Sequence, residues 1–173
     1  TIKTFTRDIK KCGDDWVQAL ELLSKMQREE LVPNVITYNA LITVCGNSQQ
    51  PQRSLELFET MQWQGIVPNV IVCSALMSAC TKGQQWEHAL RTFAEMDEHT
   101  VQPDVISFNA AISASEKGAH WEGVIAILSE MRQTDFDPNL ISFNAAISAY
   151  EKGGKWEHAL GMLAELRKHA LIP

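Results

Sequence analysis

Several familiar features are missing from this chain, and each absence removes a class of function. No apolar run approaches the roughly 20 residues that a membrane-spanning helix needs, so no membrane insertion is expected. No signal or transit segment opens the chain, but it begins at Thr1 without methionine, so that absence says nothing about targeting. There is no basic excess: 15 Lys and Arg stand against 21 Asp and Glu, a formal net charge of −6. That balance counts against strong, nonspecific capture of phosphates. The four cysteines, Cys12, Cys45, Cys73 and Cys80, form no Cys-x-x-Cys pair, and we read them as reduced, buried thiols that behave as small hydrophobes. The His-x-Glu and Pro-Cys-x-x-Cys signature of zinc deaminases does not occur, nor does a Gly-rich phosphate loop. No catalysis, cofactor, metal or small-molecule substrate is therefore expected within this segment. At 45% hydrophobic and 21% charged residues, the composition is ordinary for a folded protein.

What the chain has in abundance is repetition. Asn34-Val-Ile-Thr-Tyr-Asn39-Ala-Leu-Ile, Asn69-Val-Ile-Val-Cys-Ser74-Ala-Leu-Met, Asp104-Val-Ile-Ser-Phe-Asn109-Ala-Ala-Ile and Asn139-Leu-Ile-Ser-Phe-Asn144-Ala-Ala-Ile are one phrase copied every 35 residues. A fixed period of this size means a stack of similar units, and function is then sought at equivalent positions read in a row.

Each unit holds two helical patterns. Tyr38, Leu41, Ile42 and Cys45 follow i, i+3, i+4, i+7 spacing, as do Cys73, Leu76, Met77 and Cys80, and Phe108, Ala111, Ile112 and Ser115. This is helix A, about three turns long. Helix B reads Trp86, Ala89, Leu90, Phe93, Met96, and again from Trp121 and from Trp156. Lys82-Gly83, Lys117-Gly118 and Lys152-Gly153 stand between the two, and the glycine is expected to close helix A in a left-handed conformation. Pro33, Pro68, Pro103 and Pro138 end the units. A hairpin with one apolar stripe per helix cannot bury both stripes alone, so neighbours must stack into an all-α solenoid of antiparallel helical hairpins.

Two places depart from the pattern. The stretch from Cys12 to Trp16 is two residues shorter than that from Cys80 to Trp86, and Asp8 stands where Leu41 and Leu76 stand elsewhere, so the first hairpin is expected to be the least regular. In the second unit Pro51 replaces Trp, a residue suited to the first helical turn, where a missing N–H costs nothing.

A hairpin of 35 residues with Tyr38-Asn39-Ala40-Leu41-Ile42 in helix A, Leu55-Glu56-Leu57-Phe58 in helix B and Pro33-Asn34 at a unit's end resembles the pentatricopeptide repeat family. The tetratricopeptide repeat, about 34 residues with a Trp-x2-Leu-Gly-x2-Tyr helix, differs in both spacing and text. The resemblance covers residues 1–173 as a single array, in units of approximately 1–34, 35–69, 70–104, 105–139 and 140–173, and it implies a right-handed α-solenoid.

In the family, single-stranded RNA is read one base per repeat, by the fifth residue of a unit together with its last. Carried over, the pairs are Thr6 with Asn34, Asn39 with Asn69, Ser74 with Asp104, and Asn109 with Asn139, while Asn144 lacks a mate because the chain stops one position short. The implied preference is 5′-A-Y-G-Y-Y-3′. The second residue of each unit, Ile36, Ile71, Ile106 and Ile141, would sandwich the bases, with Lys3 in that place in the first unit. Lys82, Lys117 and Lys152 would approach the phosphates. An organellar setting, mitochondrion or plastid, is implied by the family alone.

Each assignment has a plainer reading. The fifth-position side chains can serve the backbone near helix starts, the isoleucines can be core, and the lysines can be solvated. The row Trp16, Trp86, Trp121 and Trp156 is read as packing between helices, and His88 and His158 as copies of one another. Two binding functions stand side by side: a reader of single-stranded RNA in organellar RNA processing, stability or translation, and a scaffold for protein subunits in a large organellar assembly such as a ribosome. Acidity and the short reading length favour the scaffold. The intact residue pairs favour the reader, and the one-position shortfall at Pro173 makes the chain look like a piece of a longer array.

Overall fold

A computed structural model describes residues 1–98, 100–134 and 136–168, with Glu98 described in its backbone only. Among the described residues there are ten helices and no strand. The A helices are α1 (Ile2–Lys11), α3 (Val35–Asn47), α5 (Val70–Lys82), α7 (Val105–Lys117) and α9 (Leu140–Lys152). The B helices are α2 (Trp16–Arg28), α4 (Pro51–Trp63), α6 (Trp86–Glu98), α8 (Trp121–Gln133) and α10 (Trp156–Lys168). Nine of the ten are 13 residues long. The exception is α1, with 10, so the first hairpin is indeed the irregular one.

The helix starts follow from local chemistry. Asn34, Asn69, Asp104 and Asn139 hold extended backbone, and a side-chain oxygen of each accepts from N–H groups at the start of the next A helix. Such caps satisfy donors that the first turn otherwise leaves orphaned, each worth about 1 kcal/mol. Pro51 occupies the first position of α4, as its ring favours.

The helix ends correct one expectation. Gly83, Gly118 and Gly153 do close their A helices, but with φ of −82°, −79° and −81° rather than in the left-handed region. The left-handed residue comes one step later, at Gln84, Ala119 and Gly154. Beyond it, Gln85, His120 and Lys155 donate N–H groups to the carbonyls of Cys80, Ser115 and Tyr150, the six-to-one bond of a Schellman ending. The glycines are needed for space. A Cβ would lie 2.3 Å from the Pro51 ring at Gly83, 2.6 Å from Trp86 at Gly118 and 2.7 Å from Trp121 at Gly153. Pro51 thus covers the next unit's glycine just as the tryptophans do. Trp86 and Trp121 pack between units and Trp16 packs on the core, as their place in the apolar stripe suggested, whereas Trp156 is 66% exposed.

Every A helix packs on the A helices before and after it, and every B helix packs on the A helix of its own unit and, where one follows, on the next A helix. Among the described residues, no two B helices bring their backbones close together, although the Arg132 and Glu165 side chains bridge α8 and α10 at 2.6 Å. Tight stacking on the A side and open spacing on the B side curve the array with the A helices inside. The core runs continuously between the layers, through Ile9, Tyr38, Leu41, Met61, Leu76, Met96, Phe108, Ile112 and Met131 among others. Cys45, Cys73 and Cys80 lie within it as free thiols, and burial pushes each up to about 11.

A candidate nucleic-acid interface

The fifth-position residues all lie on A helices, and Thr6, Ser74 and Asn109 reach the start of the following A helix. The Thr6 hydroxyl is 2.9 Å from that of Thr37, and Ser74 is 3.0 Å from Ser107. Ser142 donates to Asn109 Oδ1 at 2.6 Å. These matching contacts place Thr6 in register with Ser74 and Asn109, so the two residues missing from the first unit are lost after Thr6, toward the short loop before Trp16. Thr6 and Ser74 are buried, Asn39 and Asn109 are half-buried, and Asn144 is exposed. The plainer, structural reading of these side chains therefore holds in part, since three of them bond to the next unit.

The last-position residues are the caps already described, and capping decides which of their atoms remains outward. Asn34 Oδ1 accepts from the Ile36 and Thr37 N–H groups, Asn69 Oδ1 from Val72, and Asn139 Oδ1 from Ile141 and Ser142. Each asparagine is left with its NH2, a pure donor. Asp104 spends one oxygen on the Ser107 N–H and hydroxyl, both at 2.8 Å. Its second oxygen is a pure acceptor.

Ile36, Ile71, Ile106 and Ile141 are 54%, 60%, 65% and 60% exposed, which removes the alternative that they are core. Lys3 is exposed as well. A groove of about 310 Å3 between the second and third units gathers Asn39, Ile71, Ser74, Lys82, Asp104 and Ile106 along its walls. Small residues, Gly46, Ala75, Ser78 and Ala79, also line it. Two apolar side chains, a hydroxyl and carboxylate pair, an amide and an ammonium thus converge on one slot.

The lysines are not equivalent. Lys82 donates to Asn47 Oδ1 at 3.0 Å, and Lys152 pairs with Glu116 at 2.8 Å. Burial would raise the Glu116 carboxyl, but hydrogen bonds from Lys152 and Ser148 and the charges of Lys152 and Lys117 outweigh it and hold the group below its ordinary value. Lys117 lies beside Thr81, Gln84 and Trp86 in a second groove. It is the lysine of the row with no anionic or amide partner among the described residues.

Sequence reading missed the third residue of α3, α5, α7 and α9: Thr37, Val72, Ser107 and Ser142. It repeats in phase and is a hydroxyl in three of four copies, a signal open to inspection, but its helical spacing hid it among core positions. Glu116 was missed too, because its partner lies 36 residues away in the next unit.

Known proteins bear on this geometry. The family model described as the pentacotripeptide-repeat region of PRORP matches residues 2–127, and the PPR repeat model matches residues 141–170. Among solved structures, the pentatricopeptide repeat protein PPR10 from maize aligns with a TM-score of 0.75 at 24% identity, over 100% of this chain and 25% of that one. PPR10 in complex with an 18-nt psaJ RNA element aligns at 0.72 and 21%, covering 100% and 29%. The PPR domain of Arabidopsis thaliana protein-only RNase P 1, in complex with tRNA, aligns at 0.81 and 18%, over 95% of this chain and 88% of that domain. This chain thus spans about a quarter of the maize protein, and at these identities the likeness is one of fold. No curated protein matches the chain. The chain belongs to the pentatricopeptide repeat family.

Proposed function

We propose that this segment binds single-stranded RNA along its A-helix face, one base at each junction between units, with the preference 5′-A-Y-G-Y-Y-3′. The observation that carries this reading is the groove holding Ser74 and Asp104 between Ile71 and Ile106, with Lys82 at its rim. An unstacked base slides between the two isoleucines, and its Watson–Crick edge meets the polar pair. The free oxygen of Asp104 accepts from the N–H groups that a guanine edge presents, whereas the NH2 of Asn34, Asn69 or Asn139 donates to the ring nitrogen or carbonyl of adenine or a pyrimidine. Ile36 and Ile141 extend the same arrangement along the row. Affinity comes mainly from these contacts, because the net charge of −6 offers little general attraction for phosphates. RNA processing, stability or translation in a mitochondrion or plastid is the setting that family membership supports.

The test compares 5′-AYGYY RNA with a scrambled oligonucleotide at physiological salt. The matched RNA binds more tightly, and Asn109→Ala weakens it at the fourth base alone. Equal affinity for both RNAs overturns the proposal. The scaffold reading is favoured by one observation, Trp63, which is 93% exposed at the end of α4 beside Glu56, Glu59 and the capping residue Gln64; it predicts that Trp63→Ala abolishes a protein contact and leaves RNA affinity unchanged.

A further inference from the structure

At three of the four junctions between A helices, the third residue of the following A helix links the two members of a reading pair. A hydroxyl has one proton to give and lone pairs with which to accept. Thr37 gives its proton to Asn34 Oδ1 at 3.2 Å, so the contact with Thr6 is made with the Thr6 proton. Ser107 gives its proton to the Asp104 carboxylate, and Ser74 donates to Ser107 in turn. The Ser142 hydroxyl has two carbonyl oxygens in reach, Asn109 at 2.6 Å and Asn139 at 3.3 Å, and its single proton goes to the nearer. In all three junctions the hydroxyl fixes which atom of the fifth-position side chain is turned inward.

The second junction lacks this link. Val72 stands where the others carry a hydroxyl, and it is fully buried. Asn69 still caps its N–H at 3.0 Å, but Asn39 Oδ1 is buried without a hydrogen-bond partner among the described residues. A buried carbonyl lacking a donor is costly, and the terminal torsion of asparagine is broad and roughly two-fold, so a half-turn of the amide is open to it. Asn39 can therefore show the groove either its NH2 or its oxygen. Asn109, with its oxygen held by Ser142, shows only its NH2.

We propose that Thr37, Val72, Ser107 and Ser142 are positioning residues that set the donor or acceptor character of each reader, so that Asn109 selects cytosine over uracil while Asn39 accepts both. Cytosine presents an acceptor at its N3 and uracil a donor, so a fixed NH2 favours cytosine and a reversible amide satisfies either. This inference rests on the reading of one base per junction and adds a third determinant to it.

The test uses exchanges that the array already contains in equivalent places. Val72→Thr installs the residue found at Thr37, and Ser142→Val installs the one found at Val72. Binding of 5′-ACGCC, 5′-AUGCC and 5′-ACGUC is measured for the parent and both variants, with a scrambled RNA as control and circular dichroism to confirm folding. The parent binds cytosine and uracil within about twofold at the second base and prefers cytosine by about fivefold at the fourth, the scale of one net hydrogen bond. Val72→Thr creates a similar preference at the second base and leaves the fourth unchanged; Ser142→Val abolishes the preference at the fourth and leaves the second unchanged. Selective binding with base ratios that neither exchange moves overturns this inference alone. Failure of every variant to distinguish matched from scrambled RNA overturns the underlying reading, and the positioning role falls with it.

Discussion

The same substitution, glycine to alanine inside a helix, should have opposite signs at two places in this array. Alanine is favoured over glycine by about 1 kcal/mol in a helix interior. Gly161 in α10 has nothing within 4 Å of where a Cβ would stand, so Gly161→Ala should gain roughly that amount. At Gly46 in α3 a Cβ would lie 2.6 Å from Ala79 Cβ and 3.1 Å from Ala79 Cα on α5. Carbon atoms in contact prefer about 3.5–4.0 Å, so the shortfall is about 1 Å. Ala79 has no torsion that moves its Cβ away, and the helices themselves must part. Overpacking of this kind costs typically 1–3 kcal/mol, which exceeds the helix-propensity gain over most of its range. Side chains are not barred from this position as such, since Thr81 occupies it one unit later; the close approach of α3 to α5 is what excludes one. Urea denaturation followed by far-UV circular dichroism checks both variants against the parent, with a shift of about 2–4 °C in Tm per kcal/mol expected in a parallel melt. If Gly46→Ala proves as stabilising as Gly161→Ala, the account of the A layer as rigid and close-packed is wrong.

Asp104→Asn keeps the cap but replaces an outward acceptor with a donor, so stability should hold within about 0.5 kcal/mol while the third-base preference moves from guanine toward adenine; titration with four RNAs differing at that base reads the change. Glu116→Gln releases Lys152 from its ion pair, and Lys117→Ala removes the unpaired lysine. The slope of log affinity against log salt should steepen by about 0.7 in the first and flatten by about 0.7 in the second, and identical slopes in both would show that neither lysine meets a phosphate. The buried thiols make stability fall at high pH. Cys45, Cys73 and Cys80 ionise near 11 in the folded chain against an ordinary value of 9.0. Below pH 9 both states keep the proton and stability is level. From 9 to 11 the unfolded chain releases protons that the folded chain retains, which lowers stability by about 1.4 kcal/mol per pH unit for each thiol. The urea midpoint should drop across that window and drop less in a Cys73→Ala, Cys80→Ala double variant; equal slopes in the two proteins would contradict the raised values.

The period of the sequence carried most of the architecture because local signals and stacking agree. Each apolar stripe lies within one unit, each cap is only two or three residues from the N–H groups it serves, and the helix limits from α2 onward repeat at intervals of 35 residues. What the sequence concealed lies between units. A glycine after a lysine looks the same whether it serves a left-handed turn or makes room, and at Gly83 the deciding atom is a proline ring 32 residues back. Lys152 looks like its two counterparts until Glu116, in the preceding copy, is seen to neutralise it. The candidate site was legible as a row of pairs. Its third member was not, because Val72 is an unremarkable apolar residue in a helix and matters only through the amide of Asn39 opposite.

The contact between helix-ending glycine and the first residue of helix B has an evolutionary consequence. Trp86 belongs to one unit and Gly118 to the next, Trp121 to that unit and Gly153 to its successor. The third and fourth units therefore each carry both the projection that a successor must receive and the recess that a predecessor must fill. A tandem duplication of any whole unit with Trp and Gly in these places inserts a segment already fitted at both borders, and the array can lengthen or shorten without a compensating mutation. Single substitutions have no such freedom. A Trp exchanged in one copy can be answered only by change in another, so neighbouring units should diverge together at this contact even while their base-reading residues diverge alone.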